Sequence, residues 1–355
     1  MKYTVAIDIG TTNIEAALVK VTDTEASPQS EVMSTIIQPN VNSKFGRDVM
    51  TRITQAERGN LHVMSSDLRG QLSDMITELA KEVNISNITI ACNTTMTHIL
   101  LEEDCHNLGV YPFSPVHTEI TKVMSTDIEL APYSEPIPVT VLPGFSAYVG
   151  GDIVAGVLSL DLFLKKERSL LIDLGTNGEM VYHDPNTGRT YVTSTAAGPA
   201  FEMAGRSKAT EIIEGIAYLR KQEIIDETGL IINEYFETGY KYKEVNITNN
   251  LVRDVQTAKS AIRTGIEVLL SRADTPDVVY VSGAFGENLD IEAAIEIGMF
   301  PESFMDRIIL SGNTSLFGAI KYGLDPRDIV IPDYEEIYLA DDDSFYDLYI
   351  ENMSL

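Results

Sequence analysis

The sequence predicts an α/β protein made of two duplicated lobes. The main observation is a repeat, because AIDIGTTNIEAALV at residues 6–19 returns as LIDLGTNGEMVY at residues 171–182. Both copies have the pattern of a buried strand, an acid, a turn with Gly and Thr, and a second strand. The length of 355 residues exceeds that of a typical single domain. We expect the lobes to span residues 1–140 and 141–355.

The first part of the chain alternates strand and helix patterns. Apolar residues at helical spacing predict a helix over 62–83, and a short helix is expected from Thr95. The predicted strands are 3–7, 14–20, 31–37 and 87–92. Such alternation predicts a mixed sheet with helices packed on it.

The second part repeats this order after an irregular bridge. Segment 103–140 is rich in proline and turn residues and is interpreted as the connection between the halves. The strands predicted beyond it are 169–173, 179–183, 191–196 and 277–281. The predicted helices are 152–165, 208–223, 251–272 and one that starts near Asp290. Each half therefore has its own strand and helix set.

Charge and composition exclude several classes of function. The chain has 53 Asp and Glu against 26 Lys and Arg, a formal charge of −27, which repels a nucleic-acid backbone. No apolar run approaches the roughly 18 residues of a membrane span, and no signal-peptide core is present, so we expect a cytoplasmic protein. Residues 333–351 hold eight acids and no base, but interleaved aromatic residues favour a packed element there.

The first repeated turn is suited to phosphate. Gly10 carries no side chain that would block a ligand, and successive backbone N–H groups in such a turn can converge on an anion. Thr11, Thr12 and Asn13 add side-chain donors. An acid directly before the turn would repel phosphate unless a cation lies between them, so Asp8 is interpreted as a Mg²⁺ anchor acting through water.

Two further turns strengthen this interpretation. The second copy supplies Asp173 as another Mg²⁺ anchor, and SGAFG at 282–286 follows another buried strand. The candidate nucleotide contacts in these turns are Gly175, Thr176, Asn177, Gly283, Ala284, Phe285 and Gly286. Hairpins favour Gly, Asn and Asp for backbone reasons alone, so a single turn is not specific. Three turns together favour a nucleotide site, in which Phe285 is either an adenine-stacking residue or a core residue.

These motifs resemble the acetate and sugar kinase, Hsp70 and actin (ASKHA) superfamily, in which two ribonuclease H-like lobes clamp ATP between paired hairpins. The resemblance implies that DIGTTN at 8–13 is the first phosphate motif and DLGTNG at 173–178 the second. It also implies that VSGAFG at 281–286 is the adenosine motif. An actin-like fold and Mg-dependent ATPase activity are the resulting expectations.

Asp152 has two interpretations in this setting. It stands near the start of a predicted helix in GGDIVAGVLS, where a carboxylate can cap the helix. It also resembles the acid of carbohydrate kinases that accepts a proton from the attacking hydroxyl, and here the attacker could be water. Both interpretations remain open from the residues alone.

A narrower resemblance covers nearly the whole chain. VLPGFSAYVGGDIVAGVLS, LLIDLGTNGEMVY, TSTAAGPAFEMAG and VYVSGAFGENLD resemble the ATPase domain of the reductive activators of corrinoid proteins. Members of that family use ATP to drive the return of an inactive Co(II) corrinoid to Co(I), with an electron from an iron–sulfur cluster on the same polypeptide. The implied partner is a corrinoid protein or its methyltransferase.

This chain departs from the family in two places. Its two cysteines, Cys92 and Cys105, are fewer than the four ligands of a cluster, so we expect no iron–sulfur cluster on this chain and an electron donor acting in trans. The segment after AAGPAFEMAG at 196–205 is shorter than in relatives, which affects the expected nucleotide or partner surface. Glu202 in this motif either orients water or has a structural role.

Two alternative functions and one alternative site stay open. A kinase for small molecules would have the same fold and transfer phosphate to an acceptor, and a nucleotide-sensing scaffold would bind ATP without turnover. Cys92, His98, Cys105 and His106 contain groups that ligate zinc, but their apolar neighbours favour packing roles over a metal site.

Overall fold

The structure is a computed structural model that describes residues 2–22, 29–130, 135–198, 206–283 and 288–355. The chain divides into two compact units. One comprises Met1–Leu162 with Thr314–Ile331, and the other comprises Phe163–Asn313 with Pro332–Leu355. The lobe boundary at 140/141 remains our proposal for the duplication. The compact units group residues 141–162 and 314–331 with the N-terminal part.

Most of the strands belong to two large sheets, one in each unit. In chain order the strands are β1 (Lys2–Ile9), β2 (Asn13–Thr22), β3 (Gln29–Pro39), β4 (Ile85–Cys92), β5 (Thr121–Met124), β6 (Pro138–Val141), β7 (Ser169–Leu174), β8 (Gly178–Asp184), β9 (Arg189–Thr195), β10 (Tyr240–Tyr242), β11 (Val245–Ile247), β12 (Val278–Gly283), β13 (Ile308–Leu310) and β14 (Glu335–Ile337).

The α-helices connect and cover these strands. They are α1 (Val49–Gln55), α2 (Leu61–Leu79), α3 (Thr94–Leu101), α4 (His106–Gly109), α5 (Gly151–Ser159), α6 (Arg206–Lys221), α7 (Asn249–Leu270), α8 (Ile291–Glu296), α9 (Thr314–Leu324) and α10 (Phe345–Glu351). Among the helices in the described ranges, none combines the length and apolar character that a bilayer crossing requires.

The two large sheets share the topology of five strands and differ in the sixth, which is β5 beside β6 in the first sheet and β14 beside β9 in the second. Within the described residues, the strand order is β3-β2-β1-β4-β6-β5 in the first unit and β14-β9-β8-β7-β12-β13 in the second. In both, three consecutive strands form an antiparallel meander, and the first of them pairs on its other side with a parallel strand, which pairs with a second parallel strand. This correspondence confirms the predicted duplicated α/β architecture.

Small residues allow helices α5 and α9 to approach closely in the first unit. A Cβ added at Gly318 of α9 would lie 1.9 Å from the carbonyl oxygen of Ala155 in α5. On the sheet beneath them, Ala6, Ala17 and Ala91 belong to the same apolar cluster as these helices. The larger apolar residues of β1 alternate to the other face, where they pack with α2 and α3.

Several predicted boundaries were wrong. The predicted helix over 152–165 ends at Ser159, and the left-handed φ of 51° at Asp161 marks the change of direction. The predicted bridge 103–140 contains β5 and most of β6 of the first sheet, and β5 is too short to stand out among proline and turn residues. The acidic segment 333–351 includes β14 and α10, so it is a packed element.

Candidate functional site

Asp8 is fixed at the carboxyl end of β1. Ala6, two residues earlier, lies in the apolar cluster that includes Leu316 of α9, and strand alternation directs Asp8 to the same face. There the Ser315 hydroxyl, near the start of α9, donates a hydrogen bond of 2.7 Å to Asp8 Oδ1. A charge-assisted bond of this kind fixes the orientation of the carboxylate.

Asp173 has an equivalent environment in the second unit. It lies near the carboxyl end of β7, beside Ser282 of the parallel strand β12. The Ser282 hydroxyl donates a hydrogen bond of 2.6 Å to Asp173 Oδ2. The duplicated sequence therefore gives two aspartates, each held by a serine from a neighbouring element of its own unit.

A glutamate stands directly opposite each aspartate. Asp8 pairs with Glu15 across β1 and β2, and Asp173 pairs with Glu179 across β7 and β8. Residues paired in this way share a face of the sheet, and like charges in that arrangement destabilise it. A cation at the site would reduce this repulsion in both units.

Sequence reasoning missed both glutamates. The signal was present, because DIGTTNIE and DLGTNGE each place a glutamate at the start of the second strand. Glu179 is buried and accepts a hydrogen bond of 3.1 Å from the side chain of Asn177. That bond gives the predicted nucleotide contact Asn177 a role in ordering the second turn.

Gly10 is required by the tight geometry of the first turn. A Cβ added at Gly10 would lie 2.9 Å from the carbonyl oxygen of Asn13. Thr11 is buried, and its hydroxyl accepts a hydrogen bond of 3.2 Å from Asn93 at the start of α3. Thr12 accepts a backbone bond of 2.8 Å from Asn40.

The second turn is one residue shorter. Ile9 pairs with Ile14 across the first turn, whereas Leu174 pairs with Gly178 across the second. Inside the second turn, the N–H of Gly175 donates to the carbonyl oxygen of Asn177 at 2.9 Å. The carbonyl of Thr176, a buried residue, accepts from the N–H of Gly198 at 2.8 Å.

Gly283 brings the start of the third turn next to Asp173. Its φ is +87°, and an added Cβ would lie 2.8 Å from Asp173 Oδ1 and 2.5 Å from the carbonyl oxygen of Leu174. Only glycine fits this approach without strain. The other predicted residues of this turn, Ala284, Phe285 and Gly286, lie outside the described residues, as does Glu202.

Asp152 lies in the first turn of α5, and the N-cap of that helix is Gly150. Its Oδ1 accepts a hydrogen bond of 2.9 Å from the N–H of Ile153. An added Cβ at Gly150 would lie 2.6 Å from Asn93 Cα, so a glycine lets α5 begin directly against the end of β4. The N-cap position is Gly150, but Asp152 still accepts from a first-turn N–H of α5, so a structural role at the helix start and a role in the site both stay open.

The negative charges of Asp152 and Asp8 both raise the pKa of one buried thiol, that of Cys92. Burial raises the pKa of Cys92 to about 12, its hydrogen bond with Thr97 opposes this rise, and the charges of Asp152 and then Asp8 add to it. Asp8 pairs with Ala91 of β4, and an added Cβ at Gly151, next to Asp152, would lie 3.2 Å from the carbonyl oxygen of Cys92, so both residues are near the end of β4. The structure brings these two predicted site residues together within the first unit.

The cysteines and histidines considered for zinc have other contacts. Cys92 and Cys105 are buried free thiols, and burial raises the pKa of Cys105 to about 12. His106 is exposed and lies 2.6 Å from a carboxylate oxygen of Glu57. Within the described ranges, no group of three or more His, Cys, Asp or Glu side chains is placed to hold a metal ion.

His98 has a backbone partner at each ring nitrogen. Nδ1 lies 2.8 Å from the carbonyl oxygen of Thr94 and therefore donates, and Nε2 accepts from the N–H of Val116 at 3.0 Å. Burial lowers the pKa of this fully buried imidazole. A second proton on the ring would break the bond to Val116.

We predict a pH-dependent stabilisation by His98. Because the folded pKa lies below the unfolded value of about 6.5, the stabilisation is complete above that pH and is lost as pH falls towards the folded pKa. In His98→Gln the side chain does not titrate. The advantage in Tm of the wild type over this variant should shrink from about pH 8 to about pH 5. A difference in Tm that stays constant over this range would contradict the prediction.

Comparison with known proteins decides the family. The profile described as RACo middle region matches residues 3–165, and the profile described as the C-terminal domain of RACo, the ASKHA domain, matches 167–215 and 208–355. The chain belongs to the RACo family. A solved structure titled reductive activator for corrinoid, iron–sulfur protein matches with a TM-score of 0.85 and 26% identity, over 100% of this chain and 66% of that one. The actin-like fold class is thereby confirmed.

Two curated relatives of this RACo-family chain are corrinoid activation proteins. Corrinoid activation enzyme RamQ of Eubacterium limosum is 29% identical over 99% of this chain and 70% of its own length. The [Co(II) methylated amine-specific corrinoid protein] reductase of Methanosarcina barkeri is 22% identical over 88% of this chain and 68% of its own length. The chain spans about two thirds of the length of these relatives.

The C-terminal family match consists of two pieces. The C-terminal RACo profile matches 167–215 and 208–355, which overlap at residues 208–215. The alignment with RamQ has 425 positions against 355 residues here, so at least 70 positions are gaps in this chain.

Proposed function

We propose that this RACo-family chain binds and hydrolyses ATP in the cytoplasm and thereby supports the reductive activation of a corrinoid protein. One observation supports the proposed binding of ATP. Both units contain an aspartate at the end of the first strand, held by a serine and followed by a Gly-Thr turn. A structural hairpin does not need this repeated arrangement of polar groups.

The residues of the turns fit a phosphate ligand with magnesium. Gly10 lets the first turn close tightly against the carbonyl oxygen of Asn13, and the threonines and asparagines after Gly10 and Gly175 supply donors. We propose Asp8 and Asp173 as residues that would hold Mg²⁺ through water, and a cation beside either aspartate would offset the repulsion between it and its paired glutamate. Bound Mg²⁺ would supply charge neutralisation for the phosphates.

We assign Asp152 the role of general base in this hydrolysis. The rigid start of α5 holds its carboxylate on the same unit as Asp8, and both lie near Cys92. A carboxylate in this position can orient a water molecule and accept its proton as the water attacks phosphorus. The bond that breaks joins the terminal phosphate to the leaving ADP.

The corrinoid part of the proposal comes from the relatives. RamQ and the reductive activator structure are named for activation of a corrinoid protein, and the Methanosarcina relative is named as the reductase of a Co(II) corrinoid protein. We propose that one electron reduces Co(II) to Co(I) on a separate corrinoid protein and that ATP hydrolysis drives this unfavourable step. The electron would come from an iron–sulfur centre outside these 355 residues, because the two cysteines here are buried and are too few to ligate a cluster.

Calorimetric titration tests the nucleotide site. We expect Mg-ATP to bind to the wild type, and Asp8→Asn or Asp173→Asn to weaken binding by about tenfold or more, because each loses a charged partner of the metal. Removal of Mg²⁺ with EDTA should weaken the binding of ATP to the wild type by a similar factor. Asp161→Asn is the control, since Asp161 is exposed and forms a surface ion pair with Lys321. No binding by the wild type at millimolar Mg-ATP would refute the proposal.

Spectroscopy tests the corrinoid activity. The wild type, ATP, a reduced [2Fe–2S] ferredoxin and a Co(II) corrinoid protein are mixed without oxygen, and the absorbance of Co(I) is followed. We expect Co(I) to form only when all four are present. Turnover of ATP without Co(I), or transfer of phosphate to a small acceptor, would favour the kinase alternative, and ATP binding without phosphate release would favour the scaffold.

A further inference from the structure

A buried polar group supports the backbone of the first turn from behind. It consists of Asn40, Arg52, Asn93 and Met96, which we call the turn cradle. Arg52 is fully buried, and Asn40 and Met96 have at most 2% exposure. Asn40 and Arg52 were not singled out by the sequence, because they come from a 3₁₀ N-cap and from helix α1, whereas Asn93 and Met96 lie at the start of α3.

The cradle holds three successive carbonyl groups of the turn. The side chain of Asn40 donates to the carbonyl oxygen of Gly10 at 2.8 Å, and the N–H of Asn40 donates to that of Thr12 at 2.8 Å. Between them, an Nη of Arg52 donates to the carbonyl oxygen of Thr11. These three bonds fix the orientation of the peptide units in the turn.

This anchoring determines the direction of the following N–H groups. In a trans peptide the C=O and N–H bonds point to opposite sides. With the carbonyls of Gly10, Thr11 and Thr12 directed into the cradle, the N–H groups of Thr11, Thr12 and Asn13 are directed away from it. Successive N–H groups on one side form the kind of concavity that binds anions.

Arg52 also places a permanent charge behind these amides. A guanidinium stays protonated at any pH that the folded protein tolerates. Its Nε donates to the carbonyl oxygen of Gly46 at 3.1 Å, and its other Nη contacts the sulfur of Met96 at 3.0 Å. These contacts fix the guanidinium on the carbonyl side of the turn. From there its electric field favours an anion on the opposite side, where the N–H groups are directed.

We propose that Arg52 is a positioning residue that preorganises the first turn for the phosphates of a nucleotide. This inference rests on the proposed ATP binding and extends it to a residue that contacts the turn and not the ligand. Because its effect is electrostatic and directional, Arg52 should favour charged phosphates without changing affinity for an uncharged nucleoside.

Competition binding against a fluorescent ATP analogue tests this proposal in the full chain. We expect Arg52→Met to weaken the binding of Mg-ATP by about 10- to 100-fold, the range for loss of a charged hydrogen bond. The affinity of Arg52→Lys should lie between those of the wild type and Arg52→Met. Binding of adenosine should change by less than about threefold. The control is Arg69→Met, because Arg69 is a buried arginine of the same unit that donates to the carbonyl oxygen of Leu100 and does not contact the turn.

A second pair of variants covers the case in which Arg52→Met does not fold. Asn40→Asp keeps the shape of the side chain but replaces the donor to Gly10 with an acceptor. Asn42→Asp makes the same change at a buried residue that donates to Met64 and not to the turn. Mg-ATP binding should weaken in the first variant only.

Amide hydrogen exchange without nucleotide separates this proposal from ATP binding itself. We expect faster exchange at Thr11 to Asn13 in Arg52→Met than in the wild type. Unchanged ATP affinity in a folded Arg52→Met, or equal weakening of ATP and adenosine, would overturn the role of Arg52 while the proposed function stands. If the wild type binds no ATP, the proposed function fails, and unchanged exchange in the turn would then also refute the positioning by Arg52.

Discussion

Gly318→Ala should lower the free energy of unfolding by about 3 kcal/mol, the upper part of the range for inserting a methyl group into a packed interior. The added Cβ would lie 1.9 Å from the carbonyl oxygen of Ala155, which is backbone and cannot rotate away. The helices α5 and α9 must therefore separate. Urea denaturation followed by circular dichroism measures the effect.

The same substitution should also impair the candidate site. Helix α9 provides Ser315, which holds Asp8, and helix α5 provides Asp152. A shift between the helices displaces these groups relative to each other, so phosphate release should fall even where the variant is folded.

Gly70→Ala is the matched control. Gly70 lies inside helix α2, and an added Cβ there would meet nothing within 4 Å. Alanine is the better helix former by about 1 kcal/mol, so this variant should be at least as stable as the wild type. Wild-type stability of Gly318→Ala would show that the two helices can be repacked at little cost.

Asp152→Asn should reduce ATP hydrolysis by about 10²- to 10⁴-fold, the usual contribution of a general base. The amide keeps the size of the carboxylate but cannot accept the proton. Binding of Mg-ATP should change by less than about threefold, because the residue acts on the attacking water. Phosphate release under single-turnover conditions and calorimetric affinity measure the two effects separately.

The control for this variant is Asp161→Asn, just beyond the end of α5. Asp161 is exposed and lies 2.7 Å from Lys321, and surface pairs of this kind contribute little to stability. It should retain wild-type turnover. If Asp152→Asn also retains it, Asp152 is not the base, and the carboxylate at the start of α5 has a structural role.

Much of the fold followed from local patterns. The strands on both sides of each Gly-Thr turn were predictable because apolar residues recur with strand periodicity and the turn residues follow from backbone geometry. Strand β5 was missed, since a short strand among proline and turn residues has no periodicity of its own. Helix α1 was also missed, and it carries Arg52.

The site was only partly predictable for the same reason. Asp8 and Asp173 each stand two residues before the glycine of their own turn, so their roles could be inferred from one short motif that occurs twice. Ser315 reaches Asp8 from a residue 307 positions away, and Ser282 reaches Asp173 from 109 positions away. A hydroxyl that acts through a distant contact leaves no local pattern.

The sequence by itself determined the duplicated α/β architecture, the acid–Gly–Thr turns and the family resemblance, because each depends on residues adjacent along the chain. Only the tertiary structure decided what holds these turns in place. Arg52 and Asn40 support the first turn, Asp152 approaches Cys92, and a glutamate faces each aspartate. These relations arise when β-pairing and helix packing bring distant segments together, and neither spacing nor composition specifies which segments meet.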